Sequence, residues 1–347
     1  VVSNKDIQNN RFKSIENPQD VIKKNIQILE DKLNFVFKDV ILIIDVFKYS
    51  SLNISGSKKL NGSQILKENI SYILNSLKLT ISEIEKDKVI LQIFNSKSIL
   101  DGTTLENLPI GLFGDFYSHE LTFFLLNNND FKNIQQIFNM SNLNVKKIMI
   151  KNFIEGTQII NQYKKNETFF KVKIYKDNSS ISFFDNASFK HFESFNFGTN
   201  IILSDISKVC SIEHPIIESI FSDLIFCDNT FEENEYLEEK YFTKKNYRKI
   251  RKNLITEIVK ARVEEFVDII YKKNINLHSF KKRNSEIYLN VEDKLVSENF
   301  KSLFKECFLK AENMKIHFVN ELTKREILER ALQLSNYGWK KEAIPIV

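Results

Sequence analysis

The chain has 347 residues, 42% of them apolar, and 50 Lys and Arg stand against 45 Asp and Glu for a formal net charge of +5. That length exceeds one ordinary core, the near-balance of charge does not mark a nucleic-acid binder, and no apolar run approaches the ~18–20 residues of a membrane span. Three cysteines, Cys210, Cys227 and Cys307, lack CxxC spacing, which suits a reducing compartment and argues against a disulfide framework.

In chain order, Asn17-Pro18 reads as a helix start, with Asn as cap and Pro in the first turn. Ile22, Ile26, Leu29 and Leu33 follow on one face, and a buried strand covers 40–47. Residues 48–127 differ in composition. They hold a turn-rich stretch with Gly56 and Gly62, a helix with Leu66, Ile70, Ile73 and Leu77 on one face, and strands at 89–94 and about 118–126. Strand–helix–strand–strand is a small α+β module. Alternation then resumes with a helix at 130–140, a strand at 145–150 and a helix at 153–163.

The stretch from Lys171 to Ile206 reads as strand, turn, strand, a third extended segment, then Gly198 opening a helix at about 200–209. This is the plan of a hairpin that cradles phosphate at a helix start, yet its turn is Tyr175-Lys176-Asp177-Asn178, without glycines. Residues 211–240 read as irregular, with the acidic cluster FEENEYLEEK. A long helix is expected over 244–274, then a strand at 286–289, a helix at 296–310, a strand at 315–319 and a helix at 323–334.

Eight glycines and four prolines leave no Gly-rich loop, and the abundance of Ile, Lys, Asn and Phe fits drift in an AT-rich genome, with Asn-x-Ser/Thr triplets as a by-product. His119, His191, His214, His278 and His317 lie far apart, and HELTF lacks the second histidine of a zinc helix, so no metal site is expected. No GxSxG or Cys/His constellation points to a hydrolase. The chain begins with Val1, shows no signal-peptide pattern and stops after GWKKEAIPIV; both ends are expected to be cut, making this a piece of a longer protein.

LPIGLFGD, with Pro109, Gly111 and Gly114, followed by Asn133-Ile134 and Asn142-Leu143-Asn144-Val145, resembles the bacterial actin-like cell-division family FtsA. FGTNIILSDI, with Gly198, Asp205 and Ile206, and EIVKARVEEFVDII, with Arg262, Val263, Glu264 and Glu265, resemble that family in the same order. The resemblance implies an α/β, actin-like (ribonuclease H-like) fold of two halves carrying an inserted SHS2-type module. Its parts would be 1–47 and 128–166 as the first-half core, 48–127 as the insert, 167–206 and 285–347 as the second-half core, and 207–284 as a far subdomain. The first phosphate loop would precede Val1, and a membrane-targeting amphipathic helix would follow Val347 after a basic linker announced by Lys340-Lys341.

By the same resemblance, ATP and Mg²⁺ would sit between the halves, held by glycines and carboxylates. The family's acid and three glycines fall here on Lys173 and on Tyr175, Lys176 and Asp177, its last acid on Ser180, and its adenosine loop on Asn290-Val291-Glu292-Asp293. A non-enzymatic protein without a cofactor is therefore expected. Asp205 and Glu265 have two readings: contacts to magnesium water and to ribose, or, for Asp205, support of the start of its helix and, for Glu265, a solvated helix face. The run TKKNYRKIRK also has two: Tyr247, Arg248, Ile250 and Lys252, with Leu254, accept the acidic-apolar tail of the division tubulin FtsZ, or they form a solvated helix face over the core. The family's role would be a scaffold at the division site, on the cytoplasmic side of the bacterial inner membrane. It would link FtsZ filaments to that membrane, recruit other division proteins and self-associate into filaments. Two rivals stand beside it, an active actin-like ATPase with unusual loops and an actin-like scaffold of pilus or secretion machinery.

Overall fold

The computed structural model describes residues 7–8, 11–12, 14–45, 47–163, 166–224, 226, 231–232, 234–242, 247–281, 285–311 and 314–343. It is a mixed α/β protein of two compact units. One holds Val1–Glu167, Phe184–His191 and Leu322–Val347, the other Thr168–Phe183 and Phe192–Glu321. The last helix, expected with the second half, thus groups with the first unit.

In the first unit a two-residue antiparallel pair, β1 (Ile7–Gln8) and β2 (Arg11–Phe12), precedes α1 (Glu16–Leu33). The helix starts two residues before the expected Pro18 turn, with Ile15 at the cap position. β3 (Asp39–Ile44) pairs in parallel with β8 (Asn144–Ile150). Between them lie β4 (Tyr49–Lys59), α2 (Lys67–Ile84), β5 (Lys88–Leu100), β6 (Thr103–Leu105) and β7 (Phe116–Asn127), then α3 (Asn128–Asn139). The module's sheet runs β4-β7-β5-β6, all antiparallel. Its strands are longer than the sequence periodicity suggests, because register shifts at Ile90/Gln92 and Asn95/Lys97 break the alternation of β5 in two places.

Period-2 patterning sets the module's two faces. Tyr117, His119, Leu121, Phe123 and Leu125 alternate along β7; apart from His119, these residues join Ile70, Ile73, Leu74, Leu77 and Ile81 of α2 in one core. Gly56, opposite His119 in the ladder, lets α2 come close: a Cβ there would lie 2.6 Å from Ile73 Cγ2. Phe124 instead stacks on Phe189 at 4.2 Å between ring centres, and Phe94, Phe153 and Phe184 complete an aromatic cluster around Phe189. After α4 (Lys151–Gln162) and α9 (Lys324–Tyr337), Gly338 turns with φ 70°. The chain then crosses β5 as a strap: the amide of Asn95 donates to Lys341 O at 2.7 Å and that of Ala343 to Ile93 O at 2.8 Å.

The second unit is built on a sheet ordered β11-β10-β9-β12-β13, of which the hairpin end Phe184–His191 groups with the first unit. β9 (Phe169–Ile174), β10 (Ser179–Asp185) and β11 (Ser188–Phe195) follow one another through short turns. The second turn uses Asn186 and Ala187 at positive φ, as a tight hairpin requires. β12 (Glu286–Val291) and β13 (Lys315–Phe318) are added in parallel through helical crossovers. β9 is buried along its whole length and has strand neighbours on both edges, and Phe170, Val172 and Ile174 face the helices of the core. α5 (Thr199–Cys210), α7 (Lys252–Val267) and α8 (Lys294–Ala311) bury Ile202, Ile206, Val259, Val263, Phe304 and Phe308 in that core. Three hairpin-connected strands followed by two parallel ones is the ribonuclease H-like arrangement expected for one half.

Two expectations need correction. Residues 211–240 are not irregular throughout, since α6 (His214–Asp223) buries Ile217, Ile220 and Phe221 behind a Pro in its first turn. The helix expected over 244–274 begins at Lys252: residues 247–250 are not helical, and 243–246 lie outside the described residues. Tertiary pairing overrides the helical spacing there, because Tyr236 and Arg251 form an antiparallel bridge and the Leu237 amide donates to Ile250 O at 2.9 Å. The far end of α7 widens into a π turn at Asp268–Lys272.

His119 is an outlier in the module core. It is 1% exposed, and neither ring nitrogen has a hydrogen-bond partner among the described residues. Burial pushes its pKa from 6.5 down to about 4. The folded-state value lies below the unfolded one, so stability is fully present above about pH 6.5, falls as the pH drops below it and levels off under about pH 4. We expect His119→Leu to remove a loss of about 2 kcal/mol between neutral pH and about pH 5, read as the difference between wild-type and variant urea unfolding curves. Parallel pH dependence in the two proteins would contradict this.

Candidate functional site

The hairpin of β9 and β10 turns at residues 175–178, closed by the Tyr175 amide donating to Asn178 O at 2.8 Å. This turn lies against the start of α5. The backbone amides of Thr199 and Asn200 donate to the carbonyl oxygens of Tyr175 and Lys176, each at 2.9 Å, and Asn200 Nδ2 donates to Asp177 Oδ1 at 2.7 Å. These amides belong to the set that a helix start leaves without intrahelical acceptors, the groups with which such a start holds an anion. Here the chain's own carbonyls occupy them.

Gly198 makes the closure possible. A Cβ at this position would lie 2.1 Å from Tyr175 O and 2.6 Å from Lys176 O. Its φ of −158° is extended backbone open to any residue, so the close approach is what demands glycine. The sequence therefore keeps the glycine of a phosphate-type turn and uses it to seat a backbone turn.

Lys173, where the resemblance expects an acid, is buried, with its ammonium 3.7 Å from Glu321 Oε1 and 4.8 Å from the centre of the Tyr175 ring. A buried cation cannot coordinate a metal. The second expected loop is likewise filled: Asp293 caps α8, accepting the Val296 amide on Oδ1 at 3.2 Å and the Ser297 amide on its carbonyl at 2.7 Å. Asn290 Nδ2 donates to Val319 O at 2.9 Å, and the Glu292 amide to Ile174 O at 2.9 Å. Magnesium triphosphate does not fit these residues. Two orphans remain at these loops among the described residues, the Thr199 hydroxyl and Asn290 Oδ1, both buried without a hydrogen-bond partner.

Asp205 and Glu265 come together through Arg262. Its Nε donates to Asp205 Oδ2 at 2.5 Å and its Nη1 to the Glu265 carboxylate, tying α5 to α7. Three of the residues that carried the resemblance in these helices are thus partners of one another.

The stretch expected to accept a peptide is not a helical stripe. Ile250 is 7% exposed and packs in the unit's core, so it cannot meet a partner. Lys252 opens α7, pairs with Glu235 at 3.1 Å and lies over the Phe231 ring. Tyr247 and Arg248 are exposed, with the Tyr247 hydroxyl donating to Leu237 O at 3.2 Å. Leu254 is partly buried against the same core. Sequence reasoning missed the cap at Asp293, although an Asp directly before an apolar helical period is a start signal. It also missed Glu321, which carries no local signal because it meets Lys173 only through the fold.

No protein-family model matches the sequence, and no curated protein matches it. Among solved structures, the chain is similar to one from a PilM-PilN type IV pilus biogenesis complex, at 8% identity and a TM-score of 0.49 over 98% of this chain and 88% of that one. It is also similar to MreB5 of Spiroplasma citri bound to ADP, at 8% identity and a TM-score of 0.49 over 95% and 78%. With EutJ, an ethanolamine utilization protein from Carboxydothermus hydrogenoformans, it shares 11% identity at a TM-score of 0.35 over 55% and 56%.

Gly198→Ala is expected to push the 175–178 turn off the start of α5 and to cost roughly 2–4 kcal/mol of stability, from overpacking and loss of two amide–carbonyl bonds. Urea unfolding together with hydrogen exchange at Thr199 and Asn200 checks this. Unchanged protection of those two amides would refute it.

Proposed function

We propose that this chain is an actin-like scaffold that acts by binding other proteins and carries out no bond chemistry. The observation that carries the reading is the closure of the α5 start by the carbonyls of Tyr175 and Lys176. A helix start whose amides are satisfied within the fold has lost its attraction for a phosphate group. Asp293 repeats the pattern at α8, where an added anion would meet a fixed carboxylate.

Within this reading, the resemblance to the FtsA family supports a division scaffold that links FtsZ filaments to the cytoplasmic side of the membrane. Membrane contact would come through an amphipathic helix beyond Val347; no helix among the described residues is long and apolar enough to cross a membrane. Tyr247 and Arg248 keep the role of receiving the acidic-apolar FtsZ tail, Arg248 by charge and Tyr247 by its ring. Ile250 and Lys252 are left as supports of that stretch. The module supplies self-association. Its loop at 109–116 exposes Ile110, Leu112, Phe113 and Phe116, and backbone bonds between Ile65 and both Gly111 and Leu112, each 2.8 Å, hold it in place. Contiguous exposed apolar groups on an ordered loop favour burial against another protein.

Two measurements test the proposal on the full-length protein. Labelled ATP with Mg²⁺ is expected to show no micromolar binding, and finding it would return the enzyme reading. Immobilised FtsZ C-terminal peptide is expected to capture the protein, with about fivefold weaker capture for Arg248→Glu. No capture of the wild type would remove the division reading and favour a scaffold of pilus or secretion machinery. Undiminished capture of the variant would remove Arg248 from the site.

A further inference from the structure

A cleft in the first unit plays no part in the reading above. It lies where the β5 edge at residues 95–98, the segment 106–108 and the strap at Lys340 and Lys341 meet, and its cavity volume is about 40 Å³. The β5 edge is uncovered there. β6 pairs with Ser98, Ile99 and Leu100, and the strap bonds to Ile93 and Asn95, so neither reaches Ser96 or Lys97. This gap falls on the register shift between Asn95 and Lys97, where the ladder to β7 is also interrupted. Two residues of open edge are too short a template for a docked strand.

The charge of the lining is one-sided. Lys97, Lys340 and Lys341 face the cleft against a single carboxylate, Glu106. Lys340 pairs with Glu167. Lys341 donates at 2.5 Å to a neutral acceptor, the backbone carbonyl of Glu106, so no direct bond compensates its charge. Burial, followed by the charge of Lys340, pushes the Lys341 pKa down, and Glu167, Glu106 and Asp185 only partly oppose this. Lys97 is exposed and has no partner among the described residues. The Ser96 and Ser98 hydroxyls bond Thr122 and Tyr117, which leaves lysines and the Asn95 and Asn107 amides as donors.

We propose that this cleft is a phosphate-binding site, in which Lys97 and Lys341 hold a phosphate group against the uncovered edge of β5. A tetrahedral dianion accepts several donors at once, and lysine serves phosphate as a compact point charge. Free phosphate and a phospholipid headgroup offer the same chemistry. The site stands independently of the scaffold reading.

The test uses the whole chain and inorganic phosphate as the probe. Phosphate is expected to raise the thermal unfolding midpoint above that in chloride at matched ionic strength. Lys97→Met, at an exposed and unpaired position, should weaken this response about fivefold while leaving the midpoint in chloride unchanged. Lys341→Met should abolish it and Lys341→Arg should retain it, which separates loss of the site from loss of the strap. A second arm mixes the protein with phosphatidylglycerol or phosphatidylcholine vesicles. Capture by the former alone, competed by phosphate and lost in Lys97→Met, identifies a headgroup as the source; a phosphate response without vesicle capture identifies free phosphate. Equal midpoints in phosphate and chloride, or an undiminished response in Lys97→Met, would overturn the proposal.

Discussion

The second unit is organised around a helix start closed by the chain's own carbonyls. Four amides at the beginning of any α-helix lack acceptors within it, and the local dipole makes that place attractive to negative charge. In this chain the carbonyls of Tyr175 and Lys176 come to Thr199 and Asn200, and Gly198 clears the way by having no side chain. The turn, the helix and the end of β9 are thereby one hydrogen-bonded piece. Asp293 does the same service for α8 from its own side chain. At both helix starts near the ends of the central strands the chain itself supplies acceptors for leading amides.

The same economy of glycine shapes the first unit. Aromatic rings fill space in place of tight backbone turns, and Phe94, Phe124, Phe153, Phe184 and Phe189 form a single cluster. The glycines of this unit sit at positive φ, as Gly62, Gly102, Gly111 and Gly338 do, or where a neighbour leaves no room. A Cβ on Gly156 would lie 2.0 Å from the Phe184 ring, and one on Gly56 would press on Ile73. Arg262 shows the polar counterpart. By bonding both Asp205 and Glu265 it turns two carboxylates that the resemblance would place at a nucleotide into a brace between α5 and α7. Groups committed to one another in this way serve architecture, whereas Tyr247, Arg248 and the apolar loop of the module stay exposed.

By itself, the sequence determined the order and type of most elements, the module as strand–helix–strand–strand, and the unsuitability of the 175–178 turn for phosphate, because alternation, helical spacing and side-chain bulk are local properties. It misplaced the start of α7: the spacing of Tyr247, Ile250 and Leu254 is helical, but residues around Tyr236 claim that backbone for a bridge, and pairing with a distant segment leaves no local trace. Only the tertiary structure decided that Ile250 is core, that Lys173 answers to Glu321, that Arg262 holds both candidate carboxylates, and that the strap meets β5 beside Lys97. Each of these depends on which groups remote in the chain arrive within a few ångströms of one another, and that follows from packing the whole core.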